Sequence, residues 1–245
     1  MSHLVKHIIE EEFGAPVSLN RYSLSRAYTN VARGNEDLFL SSWQPATHRD
    51  YIDTYSDQLS ELGTNYKGAH IGLAVPPYMD IQSIQELKNI RDQVEGRIIG
   101  IENDAGIVKL TEKAIDAYGL DYRVVGTSEP AMISTLQASM EKEEPIIITG
   151  WKPHWLFKRY ELKFLDDPQE VYSKEEKILS VGRKGFQEQY PEVAKFLSIF
   201  ELQESQMLML MDRIEKTEDN PVQVIHQWLK EHQDIVQGWL DEVDN

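Results

Sequence analysis

Residues 38–51 read LFLSSWQPATHRDY and residues 146–160 read IIITGWKPHWLFKRY. Each stretch is an apolar run that closes on Trp-x-Pro, at Trp43 and at Trp151. The run predicts a hydrophobic strand, and the proline after it predicts the first turn of a helix, so each copy is expected to hold one indole at the carboxyl edge of a sheet. Two such edges facing each other would form an aromatic slot.

The likeness extends upstream. In both places an amphipathic helix pattern closes on an aromatic-Gly pair, Phe13-Gly14 and Tyr118-Gly119, and is followed by a short strand, a Ser-containing turn, a second helix and the strand that ends in Trp. The tryptophans are 108 residues apart and the aromatic-Gly pairs 105, so about three residues are inserted in one copy. Solenoid repeats recur every ~20–50 residues, and a period this long reads instead as two similar α/β lobes. GRIIGIENDAGIV precedes the second copy and gives it a strand and loop, whereas the first copy begins directly at its helix with MSHLVKHII. The expectation is a first lobe that lacks its opening strand.

At 245 residues the chain can bury one large core or two ordinary ones, and 41% hydrophobic with 27% charged residues is the composition of a soluble globular protein. A formal charge of −16 argues against nucleic acid, whose phosphates recruit basic surfaces. With no cysteine there is no disulfide, thiolate metal site or Cys-linked lipid on the chain as written. No stretch approaches the ~18 apolar residues of a membrane span, and the amino terminus carries no basic-then-apolar signal peptide. The chain is therefore expected to be cytosolic or a trimmed form of an exported protein, and the missing strand favours trimming.

Alternating strand and helix patterns predict an α/β fold with mainly parallel sheets. Residues 65–87, NYKGAHIGLAVPPYMDIQSIQEL, predict a strand at about His70 to Val75, a break at Pro76-Pro77, and a helix opening near Asp80 or Ser83 with Glu86 completing a capping box. EKILSVGRKGF supplies another strand, and from Tyr190 onward the pattern is helical, with the 207–211 MLMLM run, Trp228 and Trp239 as core. Lobe one is expected to comprise residues 1–80 plus 178–245 and lobe two residues 81–177, with hinge crossings near 76–95 and 170–180.

Ligand sites in α/β sheets lie beyond the carboxyl ends of strands, where both tryptophans are expected. A lone Trp at a strand end is commonly a packing residue, but equivalent placement in two lobes favours a shared site. Indole faces suit sugars, aromatic rings and quaternary ammonium groups. A methylated ammonium donates no hydrogen bond and is held best by π faces, each contributing about 0.5–2 kcal/mol when desolvated. Two walls reach roughly 4 kcal/mol, and micromolar binding needs about 8. A third aromatic, or backbone N–H groups at a helix start receiving a carboxylate, would supply the rest.

Three stretches, residues 148–168 ITGWKPHWLFKRYELKFLDDP, residues 40–51 LSSWQPATHRDY and residues 67–87 KGAHIGLAVPPYMDIQSIQEL, give the chain a family resemblance. It resembles the substrate-binding proteins of glycine betaine and related osmoprotectant ABC transporters, over roughly residues 2–240. The resemblance implies an α/β, two-lobed periplasmic-binding-protein fold (type II-like) whose lobes close on a trimethylammonium group through an aromatic box. Trp43 and Trp151 would be two walls. The matching position for a third, in residues 199–207 IFELQESQM, holds Leu202, with Phe200 or Tyr78 as substitutes. In the family a ligand carboxylate is held partly by backbone amides just after the first strand, so this chain is expected to bind betaine weakly or not at all unless that segment is restored. The implied ligands are glycine betaine, proline betaine, choline or carnitine. The implied partner is an ABC-transporter permease, with membrane contact only through the permease or an anchor, and the implied location of the natural protein is extracytoplasmic.

His154 follows Trp151 and could orient or contact a ligand, or serve a cap. His48 lies five residues after Trp43 and could hydrogen-bond at a cleft mouth. With His70 these lack the spacing of zinc ligands, and no metal is expected. Gly100, Gly106 and Gly119 form no dinucleotide fingerprint, there is no phosphate loop, and no cofactor is expected. No Ser-His-Asp or Cys-His arrangement favours an enzyme on the same fold. That alternative and a ligand sensor domain stay open beside the non-catalytic binding protein.

Overall fold

In the computed structural model residues 1–216 and 221–244 are described. In chain order, α1 (Ser2–Glu12) and α2 (Leu24–Ala32) lead into β1 (Leu38–Gln44), α3 (Arg49–Thr54) and the long β2 (Leu59–Val75). Two 3-10 turns precede β3 (Arg97–Gly100), α4 (Gly106–Ala117), β4 (Arg123–Gly126), α5 (Glu129–Glu141), β5 (Ile148–Lys152), α6 (Leu156–Arg159) and β6 (Lys163–Phe164). The chain returns through β7 (Glu176–Arg183) and finishes in α7 (Phe186–Gln189), α8 (Pro191–Ile199), α9 (Glu204–Lys216), α10 (Pro221–Glu231) and α11 (Gln233–Asp244). Among the described residues no helix is long and apolar enough to cross a membrane.

Two compact units result: Met1–Gln44, His48–Gly68 and the chain from Lys177 on; and Pro45–Thr47 with Ala69–Glu176. The first crossing falls between Gly68 and Ala69, earlier than the 76–95 expected. The reason is that β2 is one continuous strand of 17 residues, of which only the apolar end from about His70 is legible as strand in the sequence. The second crossing falls between Glu176 and Lys177, at the start of β7.

In the first unit β1 runs antiparallel to β7, from Leu38 opposite Gly182 to Gln44 opposite Lys177, with an irregularity between Phe39 and Ser42. The carbonyl of Leu40, inside that irregularity, accepts from Asn65 Nδ2 at 2.8 Å. Asn65 is fully buried, and its Oδ1 accepts from Ser180 Oγ at 2.8 Å, so one amide on β2 ties β1 and β7 together. Beside these strands the helices pack an apolar core. Leu4, Val5, Ile8 and Ile9 bury one face of α1, which packs on α10, and Phe196, Phe200, Trp228 and Trp239 fill the helical part. Met207 and Leu210 of the MLMLM run are buried there too.

The second unit is built on β3-α4-β4-α5-β5. β3 pairs in parallel with β4 (Ile98 opposite Val124) and with β5 (Ile99 opposite Ile148). β5 then pairs antiparallel with β2, and β2 antiparallel with the short β6. The sheets are thus mixed rather than mainly parallel, because β2 and β7, the strands in which the chain changes units, run against β5 and β1. The helix expected near Asp80 or Ser83 is a short 3-10 segment, Ile84–Asn89, in which Ser83 caps Gln85 N–H while Glu86 reaches Gln82 N–H, one residue short of a true capping box. Tyr118, the aromatic of the second aromatic-Gly pair, donates from its hydroxyl to Asp167 Oδ1 at 2.5 Å and accepts from Gln169 N–H at 2.8 Å. Burial, followed by that carboxylate, pushes its phenol up to about 12, so it remains a donor at neutral pH.

The repeat is visible at both helix ends. α1 closes on Phe13 with Gly14 at φ 63°, and α4 closes on Tyr118 with Gly119 at φ 58°. After that point the copies diverge. Residues 123–126 form β4 against β3, whereas residues 14–23 form no strand, contrary to the sequence expectation. β1 ends its sheet, and among the described residues no strand stands beside residues 14–23 as β3 stands beside β4.

A Cβ at Gly14 or Gly119 would meet nothing within 4 Å, so each substitution costs only the left-handed backbone penalty. Gly14→Ala and Gly119→Ala are each expected to lower unfolding free energy by about 1 kcal/mol in urea titration. A cost near zero at both positions would contradict the shared helix-closing role.

Candidate functional site

Trp43 is the penultimate residue of β1 and Trp151 the penultimate residue of β5. Both strands pair antiparallel on one side, Trp43 opposite Ile178 and Trp151 opposite Ile71. Each indole is half-buried, while the residue before it, Ser42 or Gly150, is buried. A Trp recruited only to fill a core is commonly covered, as Trp228 is at 0% exposure. Neither proline opens a helix: α3 begins at Arg49 and α6 at Leu156, with a turn of three or more residues between strand and helix in both copies.

In the first unit that turn is closed by His48. Its backbone N–H donates to Trp43 O at 3.0 Å, and its Nδ1 accepts from Trp43 N–H at 3.1 Å. A backbone N–H only donates, so Nδ1 carries the lone pair and the ring proton sits on Nε2. Tyr28 Oη lies 3.1 Å from the same Nδ1 and donates to Ser42 Oγ at 2.7 Å. Tyr28 stacks on Tyr51 with ring centroids 5.0 Å apart and meets Phe39 edge-on at 5.1 Å. Burial raises the Tyr28 phenol well above its ordinary range, so it too keeps its proton. His48 is 6% exposed. The backbone of Trp43 thus holds the buried ring from two sides, as a brace.

The second unit repeats the device with different partners. His154 is 3% exposed and stands edge-on to Trp151 with ring centroids 4.7 Å apart. Its Nδ1 accepts from Leu156 N–H at 3.1 Å, which again leaves the proton on Nε2, 3.0 Å from Glu129 Oε1. Glu129 opens α5 just after its N-cap Ser128, where a carboxylate is favoured by the helix dipole. Lys152, the cation next to Trp151, lies over Phe157 and Phe164 at 5.5 and 5.8 Å, and Arg159 covers Trp155 at 4.3 Å. Three aromatic rings near Trp151 thus already hold protein cations.

The loop after Trp43 is held from elsewhere in the chain. Glu176, fully buried, accepts from Ala46 N–H at 3.1 Å and Thr47 N–H at 3.3 Å through Oε1. Gly106 opens α4 against the Thr47 carbonyl, where a Cβ would find no room. These contacts place Pro45–Thr47 in the second unit although Trp43 and His48 belong to the first.

The remaining candidates have contacts of their own. Phe200 is fully buried between Phe196 and Trp239, with ring centroids 5.6 and 4.9 Å away, so its expected role as a wall gives way to helical packing. Tyr78 is 39% exposed and donates to the Glu144 carbonyl at 2.9 Å. Leu202 is buried, and its N–H donates to Asn65 O at 2.8 Å. Among the described residues no group of three or more His, Asp or Glu side chains is placed to hold a metal. Asn65, Glu129 and Glu176 were not singled out from sequence. Their partners lie 25 to 130 residues away, and no local spacing announces such contacts.

The family described as the substrate binding domain of the ABC-type glycine betaine transport system matches residues 1–231. The chain is 38% identical over 160 residues to the glycine betaine/carnitine transport binding protein GbuC of Listeria monocytogenes, a match covering 64% of this chain and 53% of the relative. It thus spans about half the length of that relative. Among solved structures, lactococcal OpuAC in its closed, glycine betaine-bound form matches with TM-score 0.91 and 34% identity, over 97% of this chain and 93% of that one. The glycine betaine/L-proline-binding protein ProX of Borrelia burgdorferi matches with TM-score 0.92 and 31% identity, over 97% and 91%. A choline-binding ABC-transporter protein at 22% identity and TM-score 0.91 shares the fold. The fold is the α/β one of two-lobed periplasmic binding proteins, and the chain belongs to the family of substrate-binding domains of ABC-type glycine betaine transport systems.

Proposed function

We propose that this chain binds a quaternary ammonium osmoprotectant, glycine betaine foremost, without catalysis, and delivers it to an ABC-transporter permease from outside the cytoplasm. The observation that carries the reading is the matched pair of tryptophans: each is penultimate in its strand, half-buried, and braced or flanked by a buried histidine. A methylated cation needs bare π faces in fixed positions, because it has no hydrogen to donate and the ring must not relax away from it. Proline betaine, choline and carnitine carry the same head group and are the related candidates. On this reading Trp43 and Trp151 each offer one face to the same cation when the lobes close. With Leu202 aliphatic and Phe200 in the core, two indoles supply the π contacts, and the rest of the affinity comes from the ligand's carboxylate and from shape.

Replacing Trp43 or Trp151 by Ala should each weaken glycine betaine binding roughly tenfold or more, the equivalent of losing a ~1.4–2 kcal/mol face. Intrinsic fluorescence or calorimetry with glycine betaine, proline betaine, choline and carnitine reads this out. Equal affinity for the parent and both variants would remove the basis of the assignment.

His48 positions Trp43 rather than touching ligand, and two variants separate those roles. In His48→Asn the amide oxygen can replace Nδ1 as acceptor for Trp43 N–H, so affinity should stay within a few-fold of the parent. His48→Ala should lose affinity by more than its loss of folding stability explains. If Asn and Ala behave alike in binding while stability is unchanged, the brace is not what holds the indole.

A further inference from the structure

The helical part of the first unit holds two histidines that take no part in the proposed osmoprotectant site. His7 stands at the middle of α1 and His226 at the middle of α10, two helices that pack together. Their ring centroids are 4.7 Å apart and the ring planes are inclined by 59°. The rings are neither stacked flat nor joined by a hydrogen bond, and among the described residues no protein group hydrogen-bonds to either of them. His7 is half-buried and His226 exposed, and both line an open groove between α1, α10 and α11. Glu12, Lys230 and Asp234 are the charged groups of that groove.

The separation of the rings matches a shared ion. With a metal–nitrogen distance of ~2.0–2.1 Å, two imidazoles on one tetrahedral or square-planar ion have ring centroids roughly 4.5–5 Å apart. Both side chains come from helices anchored beside the pair, since Ile8 and Ile9 are buried on α1 and Ile225 and Trp228 on α10. Donors held in place beforehand lower the ordering cost of binding. A formal charge of −16 attracts cations in general. Imidazole donors select among them, favouring Zn²⁺, Ni²⁺ and Cu²⁺ over Mg²⁺ and Ca²⁺, which take oxygen.

We propose that His7 and His226 form a two-imidazole site for a divalent transition ion of the Zn²⁺ type, which ties α1 to α10. Among the described residues no third acidic or imidazole side chain is placed to join them, so solvent completes the coordination. His3 offers the competing arrangement. It lies four residues before His7 on α1, the spacing by which one helix alone chelates an ion. A bridge between two helices and a chelate within one respond to different substitutions.

The test titrates ZnCl₂ by calorimetry into the full 245-residue chain in excess Mg²⁺, which occupies surface carboxylates and leaves imidazoles free. The expected result is saturable uptake of one Zn²⁺ per chain with a rise in melting temperature, because the ion binds the folded state. Losing an outer-shell partner alone costs ~10–100-fold in metal affinity, so His7→Ala and His226→Ala should each weaken uptake by at least about tenfold and remove the melting shift. His3→Ala should leave both unchanged. Melting of each variant without zinc, expected at the parent's temperature, separates a lost ligand from a lost fold. Histidine ring NMR of the parent needs no variant: Zn²⁺ should shift the signals of His7 and His226 and leave the other histidines in place. No saturable uptake at millimolar Zn²⁺, or ring shifts confined to other histidines, would overturn the proposal. So would uptake that survives His226→Ala and fails in His3→Ala, or one ion shared by two chains.

Discussion

A π face holds a methylated cation only if the ring is bare on one side and immobile on the other, and on the proposed reading this constraint applies to Trp43 in one unit and Trp151 in the other. Placing Trp one residue from the end of a strand satisfies the first half of it, since the ladder fixes the backbone while the ring stands at the sheet's edge. The second half falls to buried histidines. His48 bonds the main chain of Trp43 through both its amide and its Nδ1, and His154 sets its ring edge-on against Trp151. In both rings Nδ1 accepts a backbone N–H, which fixes the tautomer and so the orientation of the ring. The supports beneath them differ, a tyrosine-serine pair in one unit and a carboxylate at a helix start in the other.

The two units are variations on one chain segment, and their differences have a common physical origin. Helix, aromatic-Gly closure, second helix and Trp strand occur in both. β4 is regular where its counterpart is not: a strand's backbone groups need a ladder, and among the described residues only one of the two segments has a strand beside it. The long β2 carries the chain from one unit to the other. Its buried Asn65 satisfies the Leu40 carbonyl at the irregular stretch of β1 and fixes Ser180 on β7, so a single polar side chain organises the strand set that presents Trp43.

What could be read in the sequence was whatever is local or repeated. Trp-x-Pro after an apolar run located both strand ends, and the aromatic-Gly pairs located both helix ends, because each is decided by a few adjacent residues. The prolines misled at one point: they follow the strand in a turn instead of opening a helix, and the turn exists to bring His48 and His154 back under their tryptophans. The histidines were legible as site residues but not as braces, since burial depends on elements distant in sequence. The same holds for Phe200, whose aromatic character suggested a wall and whose neighbours Phe196 and Trp239 make it core. Asn65, Glu129 and Glu176 left no local trace at all, being polar residues whose meaning is their partner.

On the proposed reading both indoles act on one cation, and a double-mutant cycle measures that directly. Glycine betaine affinity is determined for the parent, Trp43→Ala, Trp151→Ala and the double variant. If the two faces enclose the same head group, the losses do not add, and the cycle shows a coupling of about 1 kcal/mol or more. Losses that add within about 0.3–0.5 kcal/mol would mean that the tryptophans act independently, and the shared site would not exist.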